Sequence, residues 1–243
     1  MRMKFSCKKI SIVTNIILSL IVVAVACISF IPSSAVTISG TGEYYAIYNG
    51  KRDSGGVCLT FNVYENTEVV NGILDELKKT NAKATFFVGG CWADDNAQTL
   101  KRIINEGHEL GNHGYYHKDH KKLDKTGNFN EISNNHKIVY SLTGYTMKLF
   151  APPSGSFNKT TLECAKSLGY DTIMWSKDTI DWRDDTVSLI VNRAVKNLTA
   201  GDIILMHPKA HTLKALPQIL KSIEERNLKT LTVSECARLN VEV

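Results

Sequence analysis

From residue 56 onward, the chain alternates between short apolar runs and segments whose hydrophobic positions recur every three or four residues. Short apolar runs predict buried strands, and the recurrence predicts amphipathic helices. The first such pair is a strand at 57–61 and a helix at 67–79. Further strands are predicted at 84–88, 147–150, 172–175, 203–206 and near Leu231, and further helices at 97–106, 129–142, 159–168, 187–198 and 213–226. Strands that alternate with helices form parallel sheets, so we predict an α/β fold, a distorted (β/α) barrel of seven or eight strands.

The first 35 residues follow a different pattern. Four basic residues precede an uncharged, apolar run at 10–31, an order typical of secretion signals and membrane anchors. The run is long enough to span a bilayer, while the small residues after it favour cleavage after Ala35. A cleaved signal peptide and a retained anchor therefore both remain open. Either one exports the rest of the chain, so we predict a secreted or membrane-anchored protein whose folded part is extracellular.

Three segments follow from these patterns. Residues 1–35 are the signal peptide or membrane anchor, residues 36–55 a linker and N-terminal hairpin, and residues 56–243 a single folded domain. The hairpin is expected because the residues at 45–48 run into Asn49 and Gly50, a dipeptide typical of tight turns.

Charge and cysteine content refine this picture. The formal charge is +5, but the leader holds four basic residues and no acidic one, so the remaining chain carries +1. The excess of basic residues therefore lies in the targeting segment, and no nucleic-acid partner is expected. Two of the six cysteines lie in the leader, and the other four form no CxxC pair. Their spacing leaves disulfides open and favours buried free thiols.

Candidate chemistry lies at the predicted strand ends, where barrels of this kind carry their active sites. His113 and His117 are four residues apart, and on a helical turn this spacing would bring two imidazoles to one face, able to hold one metal ion. Two surface histidines are the alternative. His207 follows the apolar run at 203–206, where it is suited to act as a general acid. Taken alone, His207 would be expected to be a core histidine.

The segment after 172–175 combines two carboxylates with an indole. Asp178 and Asp181 come first, and Trp182 follows directly. One carboxylate is suited to orient a histidine, and the indole to line a sugar pocket. A capped loop with a half-buried Trp182 is the alternative.

Together, these segments resemble the polysaccharide deacetylases of the NodB-homology type, carbohydrate esterase family 4. The resemblance extends over about 57–239 and rests on motifs that occur in order at 60–64, 107–117, 151–155, 178–182 and 205–207. It implies one divalent metal ion, often zinc, that activates water. It also implies hydrolysis of N-acetyl groups on a cell-wall or other N-acetylglucosamine-containing polysaccharide.

The resemblance assigns roles residue by residue. His113 and His117 match the metal ligands, and His207 matches the catalytic acid. The other matched positions are a supporting pair of carboxylates and three substrate contacts: Asp178, Asp181, Pro153, Trp182 and Tyr116.

The first and third motifs depart from the family pattern. The first is usually Thr-Phe-Asp-Asp-Gly, in which the first aspartate is the base and the second is a metal ligand. Here those catalytic and metal positions are Asn62 and Val63, and an amide is no base near neutral pH. Ala151 replaces the arginine that pairs with the base. The changes are coherent, because an arginine without its carboxylate would be a costly buried charge.

Two hypotheses follow. In the first, the domain is a metal-dependent deacetylase that uses a substitute carboxylate. Glu68 resembles a glutamate of the spore-associated branch of the family, and it is suited to be the third metal ligand or the base. The alternative for Glu68 is an acidic residue favoured by the helix dipole. In the second hypothesis, a catalytically weak or inactive domain binds glycan on the same fold. The expected partners are the polysaccharide and, if the leader is uncleaved, the membrane.

Overall fold

A computed structural model describes residues 17–20, 38–39 and 44–239. The chain forms two compact units, residues 1–34 and 35–243. In the first unit the described residues are 17–20, a helical segment with exposed side chains. The rest of the predicted leader lies outside the described residues. Within the described ranges, no helix has the length and apolar character needed to cross a membrane.

The second unit contains strands and helices in alternation. Its described strands are β1 (Ile38–Ser39), β2 (Ala46–Ile47), β3 (Gly56–Val63), β4 (Thr85–Val88), β5 (Glu109–Asn112), β6 (Leu149–Phe150), β7 (Asp171–Ile173), β8 (Lys177–Asp178), β9 (Ile203–Met206) and β10 (Lys229–Leu231). Its described helices are α1 (Thr67–Lys79), α2 (Gly90–Asp94), α3 (Ala97–Asn105), α4 (Lys125–Thr143), α5 (Lys159–Ser167), α6 (Val187–Val195), α7 (Ala210–Glu224) and α8 (Val233–Ala237).

The strands form one curved sheet. Their order is β1-β2-β7-β6-β5-β4-β3-β9-β8, and β10 adds to the first residues of β3. Every pairing between these strands is parallel except the antiparallel pair of β1 and β2. The predicted α/β barrel of parallel strands is therefore confirmed, as a half-barrel with helices packed outside. All the strand ends that carry candidate chemistry lie at one rim.

Two apolar layers hold this sheet in place. Leu59, Phe61 and Val63 of β3 face the outer layer, which the helices cover. Cys58 on the same strand faces the barrel interior with Phe87 of β4. The alternation follows from the two-residue period of a strand. Helix α1 completes the outer layer with buried Val70, Ile73, Leu74 and Leu77, the spacing that predicted the helix.

Two local predictions are wrong. Asn49 and Gly50 do not form a hairpin turn, because β2 pairs in parallel with β7 and Asn49 bridges to Asp202. The segment 113–117 forms no helical turn, and the residues before it form a strand, β5, which the sequence did not predict. This strand carries Glu109, Gly111 and Asn112, all poor strand formers. Pairing with β4 along its whole length stabilises it.

Candidate active site

A pocket of about 630 Å³ opens at the C-terminal ends of the strands. It is lined by the ends of β3, β5, β8 and β9, which supply Asn62, His113, Asp178 and His207. Aromatic side chains surround these polar groups: Tyr64, Tyr116, Trp175 and Trp182. The predicted site residues therefore converge on one cleft, with the exceptions given below.

His113 and His117 lie side by side, with ring centroids 5.1 Å apart. The Nδ1 of His113 donates to the carbonyl oxygen of Ala151 at 2.8 Å, which leaves Nε2 as the nitrogen with a free lone pair. Burial lowers the pKa of His113 to about 3, and the neighbouring His117 adds to the effect. Burial also lowers the pKa of His117. Both rings are therefore neutral at pH 7, the form that ligates metals.

A tight turn rather than a helix brings these two rings together. His117 has a positive φ of 54° and Gly114 one of 71°. Asn112 Oδ1 accepts the Gly114 N–H at 2.9 Å. The buried carboxylate of Glu131 in α4 accepts the N–H groups of Tyr115 and Tyr116 at 3.0 and 2.8 Å. Glu131 was not among the residues predicted from the sequence, where its only signal is an acidic residue on the buried face of a predicted helix.

Tyr64 was also missed, and it supports the same turn from β3. Its hydroxyl donates to the Tyr115 carbonyl at 3.2 Å, and its ring centroid is 5.2 Å from that of His117. The ring fills the space above Gly89, where an added Cβ would lie 2.1 Å from it. Tyr64 replaces the glycine of the usual first motif, which is the signal that could have found it.

His207 is fixed by Asp181. The Oδ1 of Asp181 accepts from Nδ1 of His207 at 2.7 Å, and Oδ2 accepts from the main-chain N–H of the same residue at 2.7 Å. Thr212 donates a third hydrogen bond at 2.6 Å. Burial acts to raise the pKa of Asp181, but the hydrogen bonds from His207 and Thr212 outweigh it and hold that pKa below its usual range. Asp181 is therefore ionised, and Nε2 of His207 is left for the pocket.

Asp178 has a different task. It lines the pocket, and its Oδ1 accepts the main-chain N–H of Ile180 at 2.8 Å. Ile180 has a positive φ of 56°, so this bond stabilises a tight turn that carries Asp181 toward His207. Of the two predicted carboxylates, Asp181 is the one that contacts the histidine.

The three altered motif positions lie in three different environments. Asn62 is 7% exposed and lines the pocket, but its Oδ1 is buried and has no hydrogen-bond partner among the residues that the structure describes. Val63 is fully buried in the outer apolar layer. Ala151 is buried in the barrel interior, and its carbonyl oxygen accepts the hydrogen bond from Nδ1 of His113. Only the first of the three positions presents a side chain to the pocket.

Three predicted residues do not line the pocket. One of them, Asp181, contacts the pocket only through His207. Glu68 is exposed in the first turn of α1 and is absent from the lining. The helix dipole explains an acidic residue at this place. Pro153 is buried, and its neighbour Ser154 lines the pocket instead. Tyr116 and Trp182 do line it, with 58% and 56% of their surfaces exposed.

The family's metal ion fits these residues incompletely. Two neutral imidazoles are suitable ligands, but catalytic zinc sites normally use three protein ligands. Among the described residues, no group of three histidine, cysteine or acidic side chains is arranged to hold a metal. The position of the usual aspartate is Val63, whose side chain packs against helices. The donor set therefore lacks the third ligand of a permanent site.

Comparison with known proteins agrees with the fold and with the family that the sequence resembles. Residues 49–173 match the family model for polysaccharide deacetylase. A peptidoglycan-N-acetylglucosamine deacetylase of Bacillus cereus is 33% identical over 79% of this chain and 71% of its own length. An uncharacterized protein of Bacillus subtilis, YlxY, is 37% identical over 78% of this chain. The chain spans 59% of the length of YlxY.

Solved structures include a relative without activity. A pseudoenzyme of carbohydrate esterase family 4 from Bacillus anthracis has a TM-score of 0.76 and 33% identity, over 79% of this chain and 68% of its own. A mutant of the same pseudoenzyme with restored enzymatic activity has a TM-score of 0.76 and 32% identity, over 79% of this chain and 71% of its own. Both active and inactive relatives therefore share this architecture.

Proposed function

The chain belongs to the polysaccharide deacetylase family, and we propose that it acts on the N-acetyl groups of a cell-wall polysaccharide, with peptidoglycan as the substrate. The curated relatives named as peptidoglycan deacetylases support this choice. The pocket volume of about 630 Å³ suits a sugar unit. Aromatic faces such as those of Tyr116 and Trp182 suit the apolar faces of sugar rings. We further propose that the N-terminal leader exports the domain to its substrate.

The pair formed by His207 and Asp181 is the observation that carries this proposal. A histidine whose Nδ1 is bound to a buried carboxylate keeps its ring orientation and its tautomer. Its Nε2 is then suited to protonate the amine that leaves when an acetamide is hydrolysed. The Asp181 carboxylate accepts three hydrogen bonds, two from His207 and one from Thr212. A histidine with a purely structural role would not require so many. The hydrolytic step is slow in this proposal, because Asn62 cannot serve as the base.

We propose that a divalent ion, zinc in the first instance, binds loosely through His113 and His117. When bound, such an ion would polarise the acetyl carbonyl. A site with two protein ligands binds an ion less tightly than a site with three, so this site is expected to exchange its ion readily.

Binding of the glycan without turnover is the second candidate function. The replacement of both usual aspartates favours it, since Asn62 is no base and Val63 is turned away in the apolar layer. In this case the pocket would retain acetylated glycan and release no acetate.

Release of acetate from N-acetylglucosamine oligomers and from peptidoglycan separates the two candidates. Slow release that is lost in His207→Ala, but kept in His136→Ala outside the pocket, would support hydrolysis. Binding of the oligomers with no acetate released would support the second candidate. Neither binding nor release would contradict both.

A further inference from the structure

The carboxamide of Asn62 makes no hydrogen bond to any other described residue. Its side chain is more than nine-tenths buried and lies at the floor of the pocket. Its Oδ1 is enclosed and unpartnered, so the part of the carboxamide that faces the pocket is the Nδ2 donor. A ligand with an acceptor oxygen would give Nδ2 a partner, and a hydrogen bond of this kind is worth about 0.5–1.5 kcal/mol.

We propose that Asn62 recognises the acetylated state of the sugar, by donating a hydrogen bond from Nδ2 to the acetyl carbonyl oxygen. The proposal rests on the proposed function, since it takes the pocket to receive an N-acetylated sugar. It gives Asn62 a role in specificity at a position where the family usually has a base. A neutral donor favours a carbonyl oxygen and disfavours the ammonium group of a deacetylated sugar.

Three other polar groups of the pocket already have partners within the protein. The hydroxyl of Tyr64 donates to Tyr115. Lys209, at the pocket edge, is ion-paired with Glu65. The Nδ1 of His207 is taken by Asp181. Asn62 is thus a neutral donor at the pocket floor, and no side chain or main-chain group in the described part of the chain accepts from it.

The strand register also suits an acetamide at this point. In the parallel pairing of β3 with β9, Phe61 lies opposite Met206. Asn62 is therefore level with His207 at the end of β9. An acetamide whose carbonyl lies on Asn62 would bring its nitrogen toward His207, the proposed acid. Recognition and proton donation would then act on the two ends of one amide.

The test is a comparison of two ligands by calorimetry on the full chain. The probes are the trimer of N-acetylglucosamine and the trimer of glucosamine. Wild type is expected to bind the acetylated trimer about tenfold more tightly, the effect of one buried hydrogen bond. Asn62→Leu keeps a similar volume without the donor, and it is expected to bring the two affinities close together. Asn62→Asp places a carboxylate in the pocket and is expected to reverse the preference toward the glucosamine trimer.

The controls keep the two proposals distinguishable. Asn105→Asp introduces the same charge change at an exposed position outside the pocket, and it is expected to keep the wild-type preference. Unfolding curves show whether Asn62→Asp is folded, and Asn62→Leu provides the test without a buried charge. An unchanged preference in Asn62→Leu would overturn the role of Asn62 while leaving the proposed function intact. Absence of binding of either trimer to wild type would overturn both.

Discussion

The carboxylate of Asp181 holds His207 at two points, its main-chain N–H and its ring Nδ1, both at 2.7 Å. The carboxylate itself is almost fully buried and receives a third bond from Thr212. The imidazole therefore has one tautomer and one orientation, with Nε2 at the pocket. Asp181 is therefore a positioning residue for His207. The two residues are distant in sequence, so no local pattern reveals their contact.

Replacement of Asp181 is expected to impair the acid without removing it. Asp181→Asn can present its amide N–H to His207, which favours the wrong tautomer and the wrong protonation state. We expect acetate release to fall by roughly a hundredfold, within the range for loss of a general acid, and the pH profile of the remaining activity to shift. Asp185→Asn, exposed in the same loop, is the matched control. An unchanged pH profile in Asp181→Asn would contradict the positioning role.

Metal content is expected to reflect the incomplete ligand set. After dialysis against a chelator and repurification, the protein should hold much less than one zinc ion per chain. In a zinc titration, His113→Ala should lower the affinity by at least about tenfold, as loss of a ligand-shell residue does in metal sites. His136→Ala changes a half-buried histidine that bonds to Tyr170, and it should leave the affinity unchanged. One tightly held zinc per chain that survives His113→Ala would show that the ion binds elsewhere.

Restoring the lost pair is expected to show coupling between two positions. Ala151→Arg alone puts a charge into the barrel interior, where an unpaired charge costs about 3–5 kcal/mol. Asn62→Asp alone adds a buried carboxylate without a partner. In the double variant the two charges can pair, so urea unfolding should show a favourable coupling energy of about 1–3 kcal/mol. Acetate release should rise above the wild-type level only in the double variant. Strictly additive free energies of unfolding would mean that the two side chains do not meet.

The stability of the fold is expected to fall in acid, in part through His108. This histidine is 6% exposed beside Phe86, and burial lowers its pKa from 6.5 to about 4. Between these values the unfolded chain binds a proton that the native chain does not, so the free energy of unfolding falls as the pH falls through this window. A shift of this size corresponds to roughly 3 kcal/mol. Urea unfolding at pH 7 and pH 4.5 should therefore show a smaller loss in His108→Gln than in wild type. Equal losses in the two proteins would place the acid sensitivity in other buried groups.

Hydrophobic periodicity predicted correctly those strands and helices whose residue types suit their final burial. The strand at 203–206 was predicted with the bounds that β9 has, and the helix at 67–79 with those of α1. In both, local pattern and final burial coincide. Strand β5 was missed, because Glu109, Gly111 and Asn112 form a strand only through pairing with β4. The Glu109 carboxylate is buried at its start, where it accepts from Thr85 at 2.7 Å.

The residues of the candidate site also fall into two groups: those that the sequence could reveal and those that only the structure shows. His113, His117 and His207 could be named from the sequence, since each stands in a motif at a strand end. Glu131 could not, because its role is a set of hydrogen bonds to a turn distant in sequence. Tyr64 stands at a motif position, but its hydrogen bond to that turn is visible only in the structure. Glu68 was named from resemblance, but the first turn of α1 leaves it exposed and outside the pocket.

The sequence by itself determined the alternation of strands and helices and the family, because periodicity and motif identity are properties of adjacent residues. Only the tertiary structure decided that Asp181 rather than Asp178 holds His207, that Val63 faces the helices, and that Asn62 lines the pocket. These outcomes depend on which way each side chain points at a strand end and on what lies across the barrel. Burial and hydrogen bonding between distant segments determine the side-chain directions and the contacts across the barrel. The order of neighbouring residues determines neither of them.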